Sequence, residues 1–186
     1  ILWVDLEMTG LVPGKDKILE VAAIGTDWEM EKICEYRGVV KVEQGLMEER
    51  MVGKFWEENE EAREGLMKQN AEGKEISEIE EEMLEFLEKN FRRESITGDA
   101  KFKGKILLAG NSVHQDRKFI DIEMPRLAER LHYRLFSVSA WEGEFVGGPG
   151  EGVYKPGAPR GLGGLWGATW GVLGSLFHIP EAPRRA

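Results

Sequence analysis

The run Ile1-Leu2-Trp3-Val4-Asp5-Leu6-Glu7 places two carboxylates inside an apolar stretch that reads as a β-strand. Side chains alternate across a strand, so Asp5 and Glu7, two positions apart, project from the same face. Burying both beside apolar neighbours is costly without a cation, and paired carboxylate oxygens suit a hard divalent metal. On its own Asp-x-Glu is a weak signal, because two solvated residues on a half-buried strand give the same pattern.

The rest of the chain supplies a frame for that strand. Ile18 to Thr26 predicts a second strand after a Gly/Pro/Lys/Asp turn segment, and Lys32 to Val42 a third, which makes a meander of neighbours. From Met47 to about Asn90 the composition turns to Glu, Lys, Met and Leu. There Ile76, Ile79, Met83, Leu84, Phe86 and Leu87 recur near the period of an amphipathic helix, with the glutamates as its solvated face. Residues 91–104 are polar and unpatterned and read as a loop. Lys105 to Gly110 predicts a short buried strand, a helix follows from about His114 through Ile122, and Pro125 opens a further helical stretch to Leu131. Asp116 lies at the start of that first helix, where a third carboxylate faces the same end of the sheet; an ordinary acid at a helix N-terminus sits there equally well.

Size and charge narrow the function. A chain of 186 residues supports one domain with a real core and is short for two. Its formal charge is 25 − 34 = −9, with no polybasic stripe to hold long nucleic acid, so a nucleic-acid substrate is expected to be short or held through metal ions. The single cysteine, Cys34, excludes an internal disulfide and fits a reducing, intracellular compartment. No run approaches the roughly 18 apolar residues of a membrane span, which predicts a soluble protein with no membrane partner. The chain begins at Ile1, already inside a strand, which leaves room for a preceding targeting segment.

Two longer segments carry a resemblance. Val4-Asp5-Leu6-Glu7-Met8-Thr9-Gly10-Leu11 and Gly110-Asn111-Ser112-Val113-His114-Gln115-Asp116-Arg117-Lys118-Phe119 closely resemble signature segments of the oligoribonucleases, within the DEDDh 3′→5′ exonucleases. Met124-Pro125 followed by Leu131-His132-Tyr133-Arg134 is similar to the segment before that family's last catalytic stretch. The resemblance covers residues 1–140, with a polar insertion around Arg92 to Lys103. It implies a ribonuclease H-like α/β fold, a mixed sheet flanked by helices, with residues 1–140 as the exonuclease domain and 141–186 as a divergent, irregular tail. It also implies trimming of short single-stranded oligoribonucleotides to mononucleotides by two-metal hydrolysis with Mg2+ or Mn2+, in the mitochondrion or cytosol.

The same resemblance assigns residues. Asp5 is expected to bridge both ions, Glu7 to complete the shell of one and Asp116 to hold the other. Met8 and Thr9 are placed near the substrate's 3′-end, Leu11 as an apolar wedge against the terminal bases, and Ser112, Arg134 and Ser139 near the far phosphate. Tyr133 is expected to offer an aromatic face from the neighbouring subunit of a homodimer. From the residues alone, turn packing for Leu11 and core burial for Tyr133 stay open. The family's base-stacking tryptophan aligns without gaps to Arg50; Trp56, a little further on, serves either as its replacement or as core. His114 reads as structural.

The pattern then breaks. The family closes its site with H-x-x-x-x-D, whereas His114, His132 and His178 are followed at that spacing by Phe119, Ser137 and Pro183. No aspartate follows Asp121, so a fourth carboxylate comes only from a glutamate such as Glu142, Glu144, Glu151 or Glu181. Losing the general base costs on the order of 10²–10⁴ in rate, so impaired activity is expected, with a non-catalytic RNA-binding or dimerising relative as the alternative. Beyond Trp141, glycine and tryptophan crowd a segment without helical periodicity or caps, for which a mis-spliced or out-of-frame end is the simplest account.

Overall fold

Leu2, Val4 and Leu6 join the main hydrophobic core, while Trp3 joins a smaller cluster with Ile24 and Ala109. That alternation sends Asp5 and Glu7 to the Trp3 face of the sheet. In the computed structural model, which describes residues 1–91 and 104–138, the strand is β1 (Leu2–Met8). Strand β2 (Ile18–Thr26) pairs antiparallel with it, and β3 (Lys32–Val39) pairs antiparallel with β2. On the other side β4 (Ile106–Gly110) runs parallel to β1, and β5 (Leu131–Ser137) parallel to β4. The sheet order is β3-β2-β1-β4-β5, so the strand with the two carboxylates is central. The expected α/β class, with a mixed sheet, a leading meander and flanking helices, is what the structure shows.

The helices are α1 (Gln44–Arg50), α2 (Lys54–Glu58), α3 (Glu60–Gln69), α4 (Ile76–Asn90), α5 (His114–Glu123) and α6 (Pro125–Ala128), with a 3-10 turn at Asn70–Glu72. The apolar stripe of α4 is buried as its period requires: Ile79, Met83 and Leu87 are all 0% exposed. They share one core with Leu2, Val4 and Leu108 from the sheet and with Phe119 and Ile120 of α5. Each such burial stabilises the fold by about 1.5–3 kcal/mol, which anchors α5 and with it Asp116.

Three local expectations need correction. Strand β3 stops at Val39, short of Val42, because the chain turns away to bridge the segment before α4: Lys41 N–H donates to the Lys74 carbonyl at 2.7 Å. The acidic middle breaks into short helices, with Gly53 at φ 91° interrupting α1 from α2. The helical stretch expected as far as Leu131 is a single turn, α6, and Leu131–Ser137 is a strand. Among the described residues β5 has a single neighbour, and in it only Leu131 and His132 are buried, so no strand period marks the sequence. Among the described residues no helix is long and apolar enough to cross a membrane. Ser139, the Arg92 to Lys103 insertion and the tail of 141–186 lie outside the described residues.

Candidate active site

Parallel neighbours end at the same side of a sheet, so pairing Leu2 with Leu108 and Trp3 with Ala109 brings the exit of β4 beside the second half of β1. The approach is close. A Cβ on Gly110 would stand 2.6 Å from the Val4 carbonyl oxygen, so only glycine lets β4 end against β1. Helix α5 starts four positions later, and Asp116, its third residue, is 6% exposed. Its Oδ1 accepts the Leu6 N–H at 3.1 Å, which ties the third carboxylate to the residue between Asp5 and Glu7.

These acids oppose one another. Burial, then the charges of Glu7, Asp116 and Glu20, push the Asp5 carboxyl up to about 8. Burial raises Asp116 to about 6 against the lowering effect of its backbone hydrogen bonds, and Glu7 is raised by burial and then by Glu20 and Asp116. Glu20, directly across from Glu7, is already engaged: Arg37 donates to it at 2.6 and 3.0 Å and Gln69 at 2.6 Å. Hard oxygen donors that repel one another in a poorly solvated site are the kind of ligand set a divalent cation stabilises. Among the described residues no three His, Cys, Asp or Glu side chains stand within reach of one ion as placed. The donor set therefore fits a metal in kind, though not as a ready-made cluster of three ligands among the described residues.

The connection from β1 to β2, residues 9–17, borders this cluster. Leu11 at its tip is 68% exposed, and its carbonyl accepts a 2.6 Å hydrogen bond from Gln115, the residue before Asp116. Thr9 is 0% exposed: its hydroxyl donates to Asp16 and accepts from Lys17 N–H, and its carbonyl accepts from Trp56 Nε1. Met8, at the end of β1, is half-buried against the main core. Trp56 is buried and Arg50 is paired with Asp16, so both tie this loop to the helices. Ser112, exposed between β4 and α5, adopts φ 49°, a left-handed conformation that non-glycine residues rarely hold.

The structure thus gathers Asp5, Glu7, Asp116, Met8, Thr9, Leu11 and Ser112 at one end of the sheet. Tyr133 and Arg134 are not brought there. Leu131 pairs with Ile106, and Ser137 pairs with Gly110, so Tyr133 and Arg134 lie toward the opposite end. Tyr133 is 61% exposed rather than core, with the Arg134 guanidinium 5.4 Å from its ring centroid. His114 is exposed, and His132 is buried with Nδ1 accepting the Arg134 N–H. Sequence reasoning passed over Glu20, Asp16 and Gln115. Glu20 carried a signal, since it interrupts the apolar run of β2 as Asp5 interrupts β1.

Known proteins can now be set beside this geometry. The fold is similar to Exonuclease I from Methylocaldum szegediense, with TM-score 0.52 at 16% identity, covering 97% of this chain and 36% of that one. That likeness defines an exonuclease-type fold. An exonuclease family model matches residues 2–146. Among curated relatives, a probable oligoribonuclease of Schizosaccharomyces pombe is 33% identical over 141 residues, 75% of this chain and 51% of that one. A probable oligoribonuclease of Dictyostelium discoideum is 39% identical over 140 residues, 75% and 67%. The oligoribonuclease of Legionella pneumophila is 32% identical over 155 residues, 80% and 77%. The chain belongs to the exonuclease family, in its oligoribonuclease branch. It spans about half the length of the S. pombe relative.

Proposed function

We propose that this chain acts on short single-stranded oligoribonucleotides as a 3′→5′ exoribonuclease, with Asp5, Glu7 and Asp116 holding Mg2+ or Mn2+. The observation that carries this reading is the convergence of three partly desolvated carboxylates from β1 and α5, tied together by the Leu6 N–H on Asp116, with Asp5 raised to about 8 by burial and its acidic neighbours and Asp116 to about 6 by burial. The bound ions supply Lewis acidity at the scissile phosphate. Asp5, raised by burial and by the charges of Glu7, Asp116 and Glu20, would be a ligand to the ions, as would Glu7 and Asp116, the last tied to β1 through the Leu6 N–H. Leu11 offers an apolar face to a terminal base, and Ser112 a hydroxyl at the mouth of α5. Tyr133 and Arg134, in the first half of β5 and away from the exit of β4, suit a substrate held by a second copy of the chain, in a homodimer in which one protomer completes the site of its partner.

A second reading, binding without turnover, is favoured by the lack of any aspartate after Asp121 and of an H-x-x-x-x-D pair. Hydrolysis of a 5′-labelled RNA dinucleotide with Mn2+, run beside Asp5→Ala and with binding measured in parallel, separates the two. Cleavage that disappears in Asp5→Ala establishes the nuclease. Binding without cleavage establishes the second reading, and neither result overturns both.

A further inference from the structure

We propose that Asp16 and Arg50 form a positioning pair that holds the loop of residues 9–17 in the shape that receives the end of a short RNA, an assignment that rests on the nucleic-acid reading above. Asp16 is 1% exposed, and its carboxylate is saturated. Oδ1 accepts from Arg50 Nε at 2.7 Å and Thr9 Oγ1 at 3.1 Å, and Oδ2 accepts from Val12 N–H at 2.8 Å and Arg50 Nη2 at 3.1 Å. The loop closes tightly on this acid: a Cβ on Gly10 would lie 2.7 Å from Asp16 Oδ2.

Thr9 and Val12 alone suffice to make a local turn around the acid. The guanidinium adds something a turn does not require, a two-pronged tie to α1. Trp56 of α2 takes the Thr9 carbonyl, and on the opposite side Gln115 of α5 takes the Leu11 carbonyl. The loop is therefore clamped between the helices that precede β4 and the helix that carries Asp116. Thr9 and Asp16 turn inward to these ties, while Leu11 and Val12, 68% and 46% exposed, and Lys15 stand at the surface. Glu7 and Thr9 are separated by a single residue, so the clamp fixes where this apolar tip stands relative to the carboxylates. Released from Arg50, the tip loses its fixed place, and a ligand's end meets it at an entropic cost. The guanidinium also holds the Asp16 carboxyl below the usual carboxylate range, in keeping with a permanently charged pair.

The test uses the full chain and three readouts: anisotropy of a fluorescein-labelled RNA trinucleotide with Ca2+, Mn2+ binding by calorimetry, and thermal unfolding. Arg50→Gln and Asp16→Asn are expected to weaken RNA binding about tenfold under conditions where both are folded, to leave Mn2+ affinity unchanged, and to be partly rescued in Arg50→Lys. A lower melting temperature with unchanged RNA affinity reduces the pair to a structural role and overturns the proposal. Parallel loss of Mn2+ affinity also overturns it, since the pair then acts through the carboxylates. Should those variants fail to fold, Leu11→Ala carries the test: an exposed side chain leaves folding intact, and unchanged RNA affinity there rejects the loop as a substrate surface. If the parent binds Mn2+ but no RNA, the nucleic-acid reading itself fails and this assignment with it.

Discussion

Asp5 lies on β1 and Asp16 within the connection that follows it, and the fold meets their charges differently. Asp16 accepts four hydrogen bonds, two of them from Arg50, and its carboxyl is held below the usual range. Asp5 faces Glu7 and Asp116 and is pushed up to about 8 by burial and their charge. A chain that neutralises one buried acid so fully is able to neutralise another. On the proposed reading, a bound cation would offset the repulsion among the three acids, and metal binding would then be linked to stability.

The largest expected effect comes from removing one side of this contrast. Asp5→Asn is expected to weaken Mn2+ binding by more than about 100-fold, since even the hydrogen-bond partners of metal ligands contribute 10- to 100-fold. The same change stabilises the metal-free protein by about 1–2 kcal/mol near neutral pH. Calorimetry and denaturant melts check both, and an unchanged Mn2+ affinity would erase the distinction between the two aspartates. Next in size is Gly110→Ala, whose Cβ would meet the Val4 carbonyl at 2.6 Å. A loss of about 1–3 kcal/mol in urea unfolding is expected, together with weaker Mn2+ binding as Asp116 is carried away from β1. Wild-type metal affinity in this variant would show that Asp116 is aimed independently of the strand contact.

The smallest effect is a two-sided pH profile in chelator. Asp5 has a folded pKa raised from 3.8 to about 8, so its contribution is fully present below about 3.8 and is lost as pH rises through about 8. Asp16 has a folded pKa below 3.8, so its contribution is present above that value and is lost as pH falls. Melting temperature should therefore decline on both sides. Asp5→Asn or added Mn2+ is expected to reduce the alkaline arm, to which Glu7 and Asp116 also contribute, and Asp16→Asn to reduce the acid arm; a profile in which either change alters only the other arm contradicts the assignment.

What was legible in the sequence follows from range. Strands β1 and β2 announce themselves through apolar runs, and α4 through Ile79, Met83 and Leu87 at helical spacing, because burial imposes a local period. Asp5, Glu7 and Asp116 stand out through the longer segments around them, since a solvated strand pair and a helix N-terminal acid give the same local pattern. The partner of Asp16 does not, because Arg50 lies on a helix that only the tertiary fold brings near, and in the ungapped family alignment it merely replaces a tryptophan. Strand β5 was hidden by its place at the sheet edge, where Tyr133 and Arg134 are exposed and no alternation is demanded. The break at Gly53 depends on a left-handed backbone that helical composition on both sides conceals.

The central pairing of β1 with β4 also says when this protein assembles. The β1-β2-β3 meander closes through short turns, but Leu2 finds Leu108 only after the whole helical middle has been looped out, and such non-local pairing is slow. Contact range therefore leads us to expect Asp5 and Glu7 to be in place before Asp116 arrives, with the repulsion among the three arising as β4 and α5 dock. If the carboxylates hold a cation as proposed, its presence during refolding is expected to speed that step, which stopped-flow refolding with Mn2+ or with chelator would check.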